Sequence, residues 1–471
     1  MLLFTFNKSI LMIVNEMIVF FTEEKTMNNT VHSIYKNNTE VLEKKDEIVL
    51  AEGIIKDADP GKTGLNGNVI VIGGTGSGKT VSYTEANLLH TFNRSLVVSV
   101  SKQQLIDKYV PLFQKRGYDV NVIDIIHPEN STIGYDPLRY VKSNEDVLTL
   151  AKALICNQAP MTSSDDSYWT NAATQLCAAE IAMVKELYPV YKEKKPDLMY
   201  TFASVLALDE ELQFKESKSF GFTSSNMDLD FEALKNYNEA SYAARCFQSI
   251  KGLASRTVSC ILSTVRSAYG DTFSPSAIEL MQMENTLDFA DLANEKNVLF
   301  VLTSPVDKTS HAFVNLMFSQ MFKELYRLSL LEGGSLKQNL HVMCDDFAVS
   351  AKIHEFENYI SIFREAGISV SILVQSLSQL TSLYGDAKAT TIINNCDRIL
   401  YLGGMDLSTC QNMAQRLDVP LTDVLNAKLE SAFVMQRGEH PIIGSRYKTY
   451  EDFAYEEIRT LRREKEAFVI A

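Results

Sequence analysis

The stretch Asn68-Val69-Ile70-Val71-Ile72-Gly73-Gly74-Thr75-Gly76-Ser77-Gly78-Lys79-Thr80 decides how the chain is read. Its first part is a short apolar run, the mark of a strand buried on both faces of a parallel sheet. Its second part, Gly73-x-x-x-x-Gly78-Lys79-Thr80, fits the phosphate-binding P-loop pattern completely. Glycines let backbone N–H groups wrap phosphates without side-chain interference. A helix opening near Lys79 points its positive end at them. Gly73, Gly74, Thr75, Gly76, Ser77, Gly78, Lys79 and Thr80 are therefore expected to hold the phosphates of ATP. Lys79 neutralises the β/γ-phosphate charge, and Thr80 offers a hydroxyl to Mg2+. The plainer reading is a Gly-rich turn with a chance Lys-Thr; the flanking strand and helix argue against it.

Short apolar runs recur on both sides of this segment. Residues 96–100 and 120–126 read as strands, and so do 298–302, 341–344, 370–374 and 399–402. Helical stretches separate them, so the expected fold is α/β, a doubly wound and mainly parallel sheet. Between residues 144 and 280 the period changes to a helical one, as in Val147, Leu150, Ala151 and Leu154. No strong strand signal appears there. The expected organisation is a polar leader with a degenerate apolar start (1–50), a nucleotide-binding domain in two parts (51–143 and 286–450), an all-α domain between them (144–285), and a C-terminal helix (451–471).

A P-loop alone only binds. Hydrolysis needs an acid at the end of a neighbouring strand. His341-Val342-Met343-Cys344-Asp345-Asp346 supplies two. Asp345 is assigned to the Mg2+ side and Asp346 to the base that activates water; a surface turn carrying two acids is the alternative. Gln375 ends the 370–374 run, where it can sense the γ-phosphate or position water. Arg364 precedes that run. It is either a solvated charge or an arginine presented to a neighbouring subunit's nucleotide, which requires an oligomer. Lys79, Asp346, Gln375 and Arg364 are thus the candidate catalytic set, and Thr80 and Asp345 the candidate metal ligands.

Bulk properties set limits on partners. The 471 residues are 46% hydrophobic and 22% charged, which fits an ordered globular protein. The net charge of −14 does not advertise nucleic-acid binding, so DNA contact needs a local basic surface or a channel formed on assembly. The basic run Arg459-Thr460-Leu461-Arg462-Arg463 reads better as a solvated helix face than as a DNA site. The seven cysteines form no Cys-x-x-Cys pair, and all seven read as small buried hydrophobes in a reducing cytoplasm. Residues 1–21 are apolar in two runs interrupted by Asn7, Lys8, Asn15 and Glu16, a poor membrane span. Met27 is an equally good start.

With these segments in order, the chain resembles the TraG/TraD-like type IV coupling proteins, the ATPases of conjugative transfer. The resemblance runs from about residue 51 to 450. Arg364-Glu365-Ala366-Gly367-Ile368-Ser369, Gln375-Ser376-Leu377-Ser378-Gln379-Leu380 and Asn394-Asn395-Cys396-Asp397 carry it most specifically. Gly117-Tyr118 through Tyr135-Asp136-Pro137-Leu138 is similar to the family's "GY…NP" segment, Asp166-Ser167-Tyr168-Trp169 to its "DPFW", and Ser255-Arg256-Thr257 to its helical return. The resemblance implies a RecA-like P-loop NTPase domain with an inserted all-α domain, assembled as a homo-hexamer, with Arg364 as a finger donated across the ring interface. It implies ATP and Mg2+ as cofactors. It implies single-stranded DNA, a relaxase complex and type IV secretion channel proteins as partners, at the cytoplasmic face of the cell membrane with possible membrane association.

Three departures stand out. The strand that usually ends "DPKGE" reads Ser99-Val100-Ser101-Lys102-Gln103-Gln104. The usual Asp-Glu pair is Asp345-Asp346, one methylene shorter. The family usually begins with two membrane spans, and this chain shows at most one poor remnant. Two other readings stay open: a DNA pump of the FtsK/HerA type, which shares the motor but not the inserted helices, and a nucleotide-binding adaptor that does not hydrolyse.

Overall fold

The computed structural model describes residues 45–156, 164–194, 200–211, 216–219, 222–304, 307–345, 347 and 352–470. Thirteen strands occur among them: β1 Glu47–Ala51, β2 Ile54–Asp57, β3 Val69–Ile72, β4 Ser95–Val100, β5 Asp119–Asp124, β6 Glu216–Ser219, β7 Phe222–Ser225, β8 Asn297–Leu302, β9 Leu340–Cys344, β10 Ile368–Val374, β11 Arg398–Tyr401, β12 Ser431–Gln436 and β13 Ile442–Ser445. Nine of them form one sheet in the order β13-β12-β11-β3-β10-β9-β4-β8-β5. From β11 to β5 every neighbour is parallel. β12 and β13 turn back antiparallel on the β11 edge.

The apolar runs fold this way because both faces of the sheet are covered. In β4, Val97 faces one core while Leu96, Val98 and Val100 face another, and in β3 Ile70 and Ile72 lie opposite Val69 and Val71. Such strands have no solvent side, which is why they read as continuous apolar runs and not as alternation. One polar seam crosses the buried sheet. His341 on β9 bonds Ser369 (2.6 Å) and Ser371 (2.8 Å) on β10, and Ser371 bonds the Tyr83 hydroxyl (2.6 Å) on the P-loop helix. Each of these buried polar atoms thus has a partner, and the P-loop helix is tied to the adjacent β10 and, through Ser371, to β9.

Between β5 and β8 the chain is mainly helical, with Asn144–Cys156, Ser164–Lys194, Ala203–Glu211, Asn226–Tyr237 and Ser255–Thr272 the longer helices. Ala172, Ala173, Ala178, Ala179 and Ala182 are small residues buried along the Ser164–Lys194 helix. This region is not wholly without strands: β6 and β7 pair antiparallel. The loose leader expected up to residue 50 also ends sooner. Glu47–Ala51 is a strand with four buried residues, paired with β2. Residues 1–44, with both apolar runs, lie outside the described residues. Among the described residues no helix is long and apolar enough to cross a membrane.

Cysteines follow expectation except at two positions. Cys177, Cys246, Cys344, Cys396 and Cys410 are buried and Cys156 is half-buried, but Cys260 is exposed on the Ser255–Thr272 helix. A helical period that fits the core does not say which member of the helix points outward.

Asp136 joins the sheet to the helical region. Its carboxylate accepts from Leu138 N (3.4 Å), at the start of a 3-10 turn, and from Phe202 N (2.8 Å), next to the Ala203–Glu211 helix. Burial pushes this carboxyl up to about 7, against the opposing pull of those two N–H donors and Arg139. A carboxyl raised on folding favours the folded state at low pH, and that stability is lost as pH rises through the folded value. Asp136→Asn keeps an acceptor and removes the charge. Its melting temperature should exceed the parent's at pH 8 by at least about 2 °C, and the gap should be clearly smaller at pH 5, between the unfolded and folded values. Parallel melting curves for the two proteins across that range would refute the assignment.

Candidate nucleotide site

β3 lies between β11 and β10, and the loop leaving it is pinned to both. Gly73 N donates to Val374 O (3.1 Å) at the end of β10, and Gly74 N to Gly403 O (2.9 Å) just beyond β11. The loop then turns through Gly76 (φ 75°) and Gly78 (φ 79°), a left-handed backbone that side chains rarely adopt. Gly73 is glycine for another reason. A Cβ there would run into Ser77 Oγ and come within 3.2 Å of Leu402 Cβ. Residues 80–85 wind as a π-helix and Ala86–Leu89 continue as α-helix. All of Gly73 to Thr80 thus forms one cradle, crowned by exposed Thr75 and Gly76.

The cradle's polar groups suit a polyphosphate. Lys79 Nζ donates to the loop's own Gly73 O (2.6 Å). Ser77 Oγ is buried with no hydrogen-bond partner among the described residues. Thr80 Oγ1 donates to Asp345 Oδ2 (2.7 Å), so the hydroxyl and the carboxylate proposed for the metal already touch. Asp345 is placed by its own N–H, which donates to Ser99 O (3.1 Å) at the end of β4. An ammonium, a hydroxyl–carboxylate pair and a buried unpartnered hydroxyl on a glycine cradle are the donor set that a Mg2+-nucleotide needs.

Gln375 also falls here. It follows Val374, whose carbonyl receives Gly73 N, and it is exposed at the rim. Arg364 does not. It is exposed near the end of the Phe356–Ala366 helix, before the first residue of β10, whereas Gln375 follows the last. A seven-residue strand separates the two, roughly 20 Å. Among the described residues the Arg364 guanidinium has no ion pair or hydrogen bond. It lines an open cavity with Pro60, Gly61 and Glu365. Asp346 lies outside the described residues. Of the basic run near the C-terminus, Arg459, Arg462 and Arg463 are exposed on the Tyr455–Ile470 helix, and Arg459 and Arg463 pair with Glu456.

The type IV secretory system conjugative DNA transfer family matches residues 28–418. The chain belongs to that family. It is a type IV coupling protein, acting in conjugative DNA transfer. No curated protein matches it in sequence. Among solved structures it is similar to the bacterial conjugative coupling protein TrwBdeltaN70 in an unbound form, at 15% identity over 90% of this chain and 92% of that one, TM-score 0.62. It is also similar to the plasmid coupling protein TrwB in complex with ADP and Mg2+, at 16% identity over 82% and 87%, TM-score 0.58. VirB4 of Thermoanaerobacter pseudethanolicus is more remote, at 11% identity over 88% and 100%, TM-score 0.52. These likenesses establish the RecA-like fold of this coupling protein, with its inserted helices.

One residue at the site escapes a sequence reading. Arg446, just after β13, lies over Gly78: its Nη1 is 3.5 Å from the place of a Gly78 Cβ. Only the antiparallel return of β12 and β13 brings it there, and no motif marks it.

The close fit at Gly73 makes a prediction about folding. Gly73→Ala should cost about 1–3 kcal/mol, read as a lowered midpoint in urea. Adding Ser77→Gly should recover part of it, because the first clash is with Ser77 Oγ. Full stability in the single variant would contradict the packing described.

Proposed function

We propose that this coupling protein is an ATPase that recruits relaxase-bound DNA to a type IV secretion channel and helps to translocate it. The observation that carries the reading is the Thr80–Asp345 contact on a complete P-loop cradle. Backbone N–H groups of 73–80 and the Lys79 ammonium would hold the phosphates of ATP. Thr80 and Asp345 would hold Mg2+ between them, and the bound metal would supply charge neutralisation at the phosphates. Asp346, next along the chain, takes the proton of the attacking water; Gln375, at the end of the adjacent strand, orients that water.

Arg364 completes the site only from another subunit. It is at the far end of β10 from the cradle of its own chain, exposed and without an ion pair among the described residues. That placement supports a homo-hexameric ring in which each chain lends Arg364 to the next. The partners of the motor are then single-stranded DNA with its relaxase and the channel proteins, at the cytoplasmic face of the cell membrane. The acidic balance of the chain leaves DNA contact to a channel formed by assembly. Asp346 in place of a longer acid favours one competing outcome, an adaptor that binds nucleotide without turnover.

Phosphate release with and without single-stranded DNA separates these. Lys79→Ala and Asp346→Asn should each lower turnover by at least about 100-fold. Mixing Arg364→Ala with Lys79→Ala subunits should restore part of it, since some interfaces then pair an intact P-loop with an intact arginine. Tight nucleotide binding by the parent with no turnover would sink the motor in favour of the adaptor. Absence of rescue at every mixing ratio would remove Arg364 from the neighbour's site.

A further inference from the structure

The segment after β13 does more than close the sheet. Arg446 N donates to Glu430 O (2.8 Å), which carries the β12–β13 pairing one residue further. Its Nη2 donates to Leu402 O (2.8 Å). Leu402 precedes Gly403, whose carbonyl holds Gly74 N, so the guanidinium and the P-loop are fixed to the same turn. Past Arg446 the chain is tied to the P-loop helix twice. Thr449 Oγ1 donates to Val81 O (2.5 Å) at the start of the helix. At its other end, His90 Nε2 meets Asp452 Oδ2 (2.7 Å) while His90 Nδ1 meets Glu47 Oε2 (2.7 Å). The Tyr447 hydroxyl donates to Asp452 (2.6 Å) as well. A strap over residues 446–452 is thus held along the length of the helix.

The strap presents a cation with unused capacity. Arg446 Nε is buried and has no hydrogen-bond partner among the described residues. Burial lowers the guanidinium's proton affinity, and the Glu430 carboxylate opposes this. Its Nη1 and Cδ lie 3.5 and 4.0 Å from the place a Gly78 Cβ would take. Those are contact distances, so the guanidinium packs directly against the loop at Gly78, which is glycine for its left-handed turn. Protein groups satisfy part of this guanidinium, and the loop beside it is one built for anions.

We propose that Arg446 is a nucleotide-binding residue of its own chain's P-loop, adding a second cation beside Lys79 to the polyphosphate of bound ATP or ADP. This rests on the nucleotide-site reading above. The C-terminal strap is then part of the binding site, and Arg446 is held in position before ligand arrives, which spares the ordering cost of a long side chain.

Titration of the full chain with N-methylanthraniloyl-ADP and Mg2+ tests this. Arg446→Gln retains a donor for Leu402 O and loses the charge; it should weaken binding by at least about tenfold. Arg446→Lys retains the charge and should weaken it by no more than about threefold. Melting without nucleotide identifies any variant that fails to fold, and the Gln–Lys comparison is then made at a temperature where both are folded. Binding lost in Lys79→Ala but unchanged in Arg446→Gln would overturn this inference alone. So would equal weakening by Gln and Lys, which would mark a structural role. A parent chain that binds no nucleotide would overturn the nucleotide-site reading itself.

Discussion

Everything at this site depends on where β3 ends. The strand sits between β10 and β11, and the first two residues beyond it spend their N–H groups on those neighbours: Gly73 on Val374 O, Gly74 on Gly403 O. The loop therefore begins at a fixed height above the sheet. From that anchor the rest follows by geometry. Thr80 opens the helix beside Asp345, because β9 is the next strand beyond β10. Gln375 stands at the rim because it follows the residue that accepts from Gly73. A shift of β3 by one residue would turn its buried pairs over and move every group of the cradle.

Much of this was legible in the chain. Seven parallel strands announce themselves as short apolar runs, since burial on both faces leaves no polar alternation to blur the signal. Asp345 was legible because a carboxylate directly ending such a run, in a chain with a full P-loop, has few other uses. The elements that escape are antiparallel or short. β1 lies in a charged stretch, Lys44-Lys45-Asp46-Glu47, although its own residues are buried. β13 has only four residues, three of them exposed, so its pattern says little. Arg446 goes unseen for the same reason: its place over Gly78 is set by pairing between strands and by no local spacing.

The family membership and the fold agree with one another at different levels. Residues 28–418 carry the family match, and the solved relatives share the layout at identities of 11–16%. At such distances side chains have turned over while the sheet and its helical insertion persist. The Asp136 carboxylate accepts from two backbone N–H groups, one from each side of the junction between sheet and helices.

β10 is buried over nearly its whole length and bonded on both edges, to β3 and to β9. It cannot slide against either neighbour without breaking a ladder of hydrogen bonds. Gln375 stands beyond one end of it and Arg364 beyond the other. Such a strand behaves as a ruler. It holds the nucleotide rim and the Arg364 end at a fixed spacing. If the Arg364 end abuts the next copy's nucleotide, the length of this one strand sets the distance between successive sites.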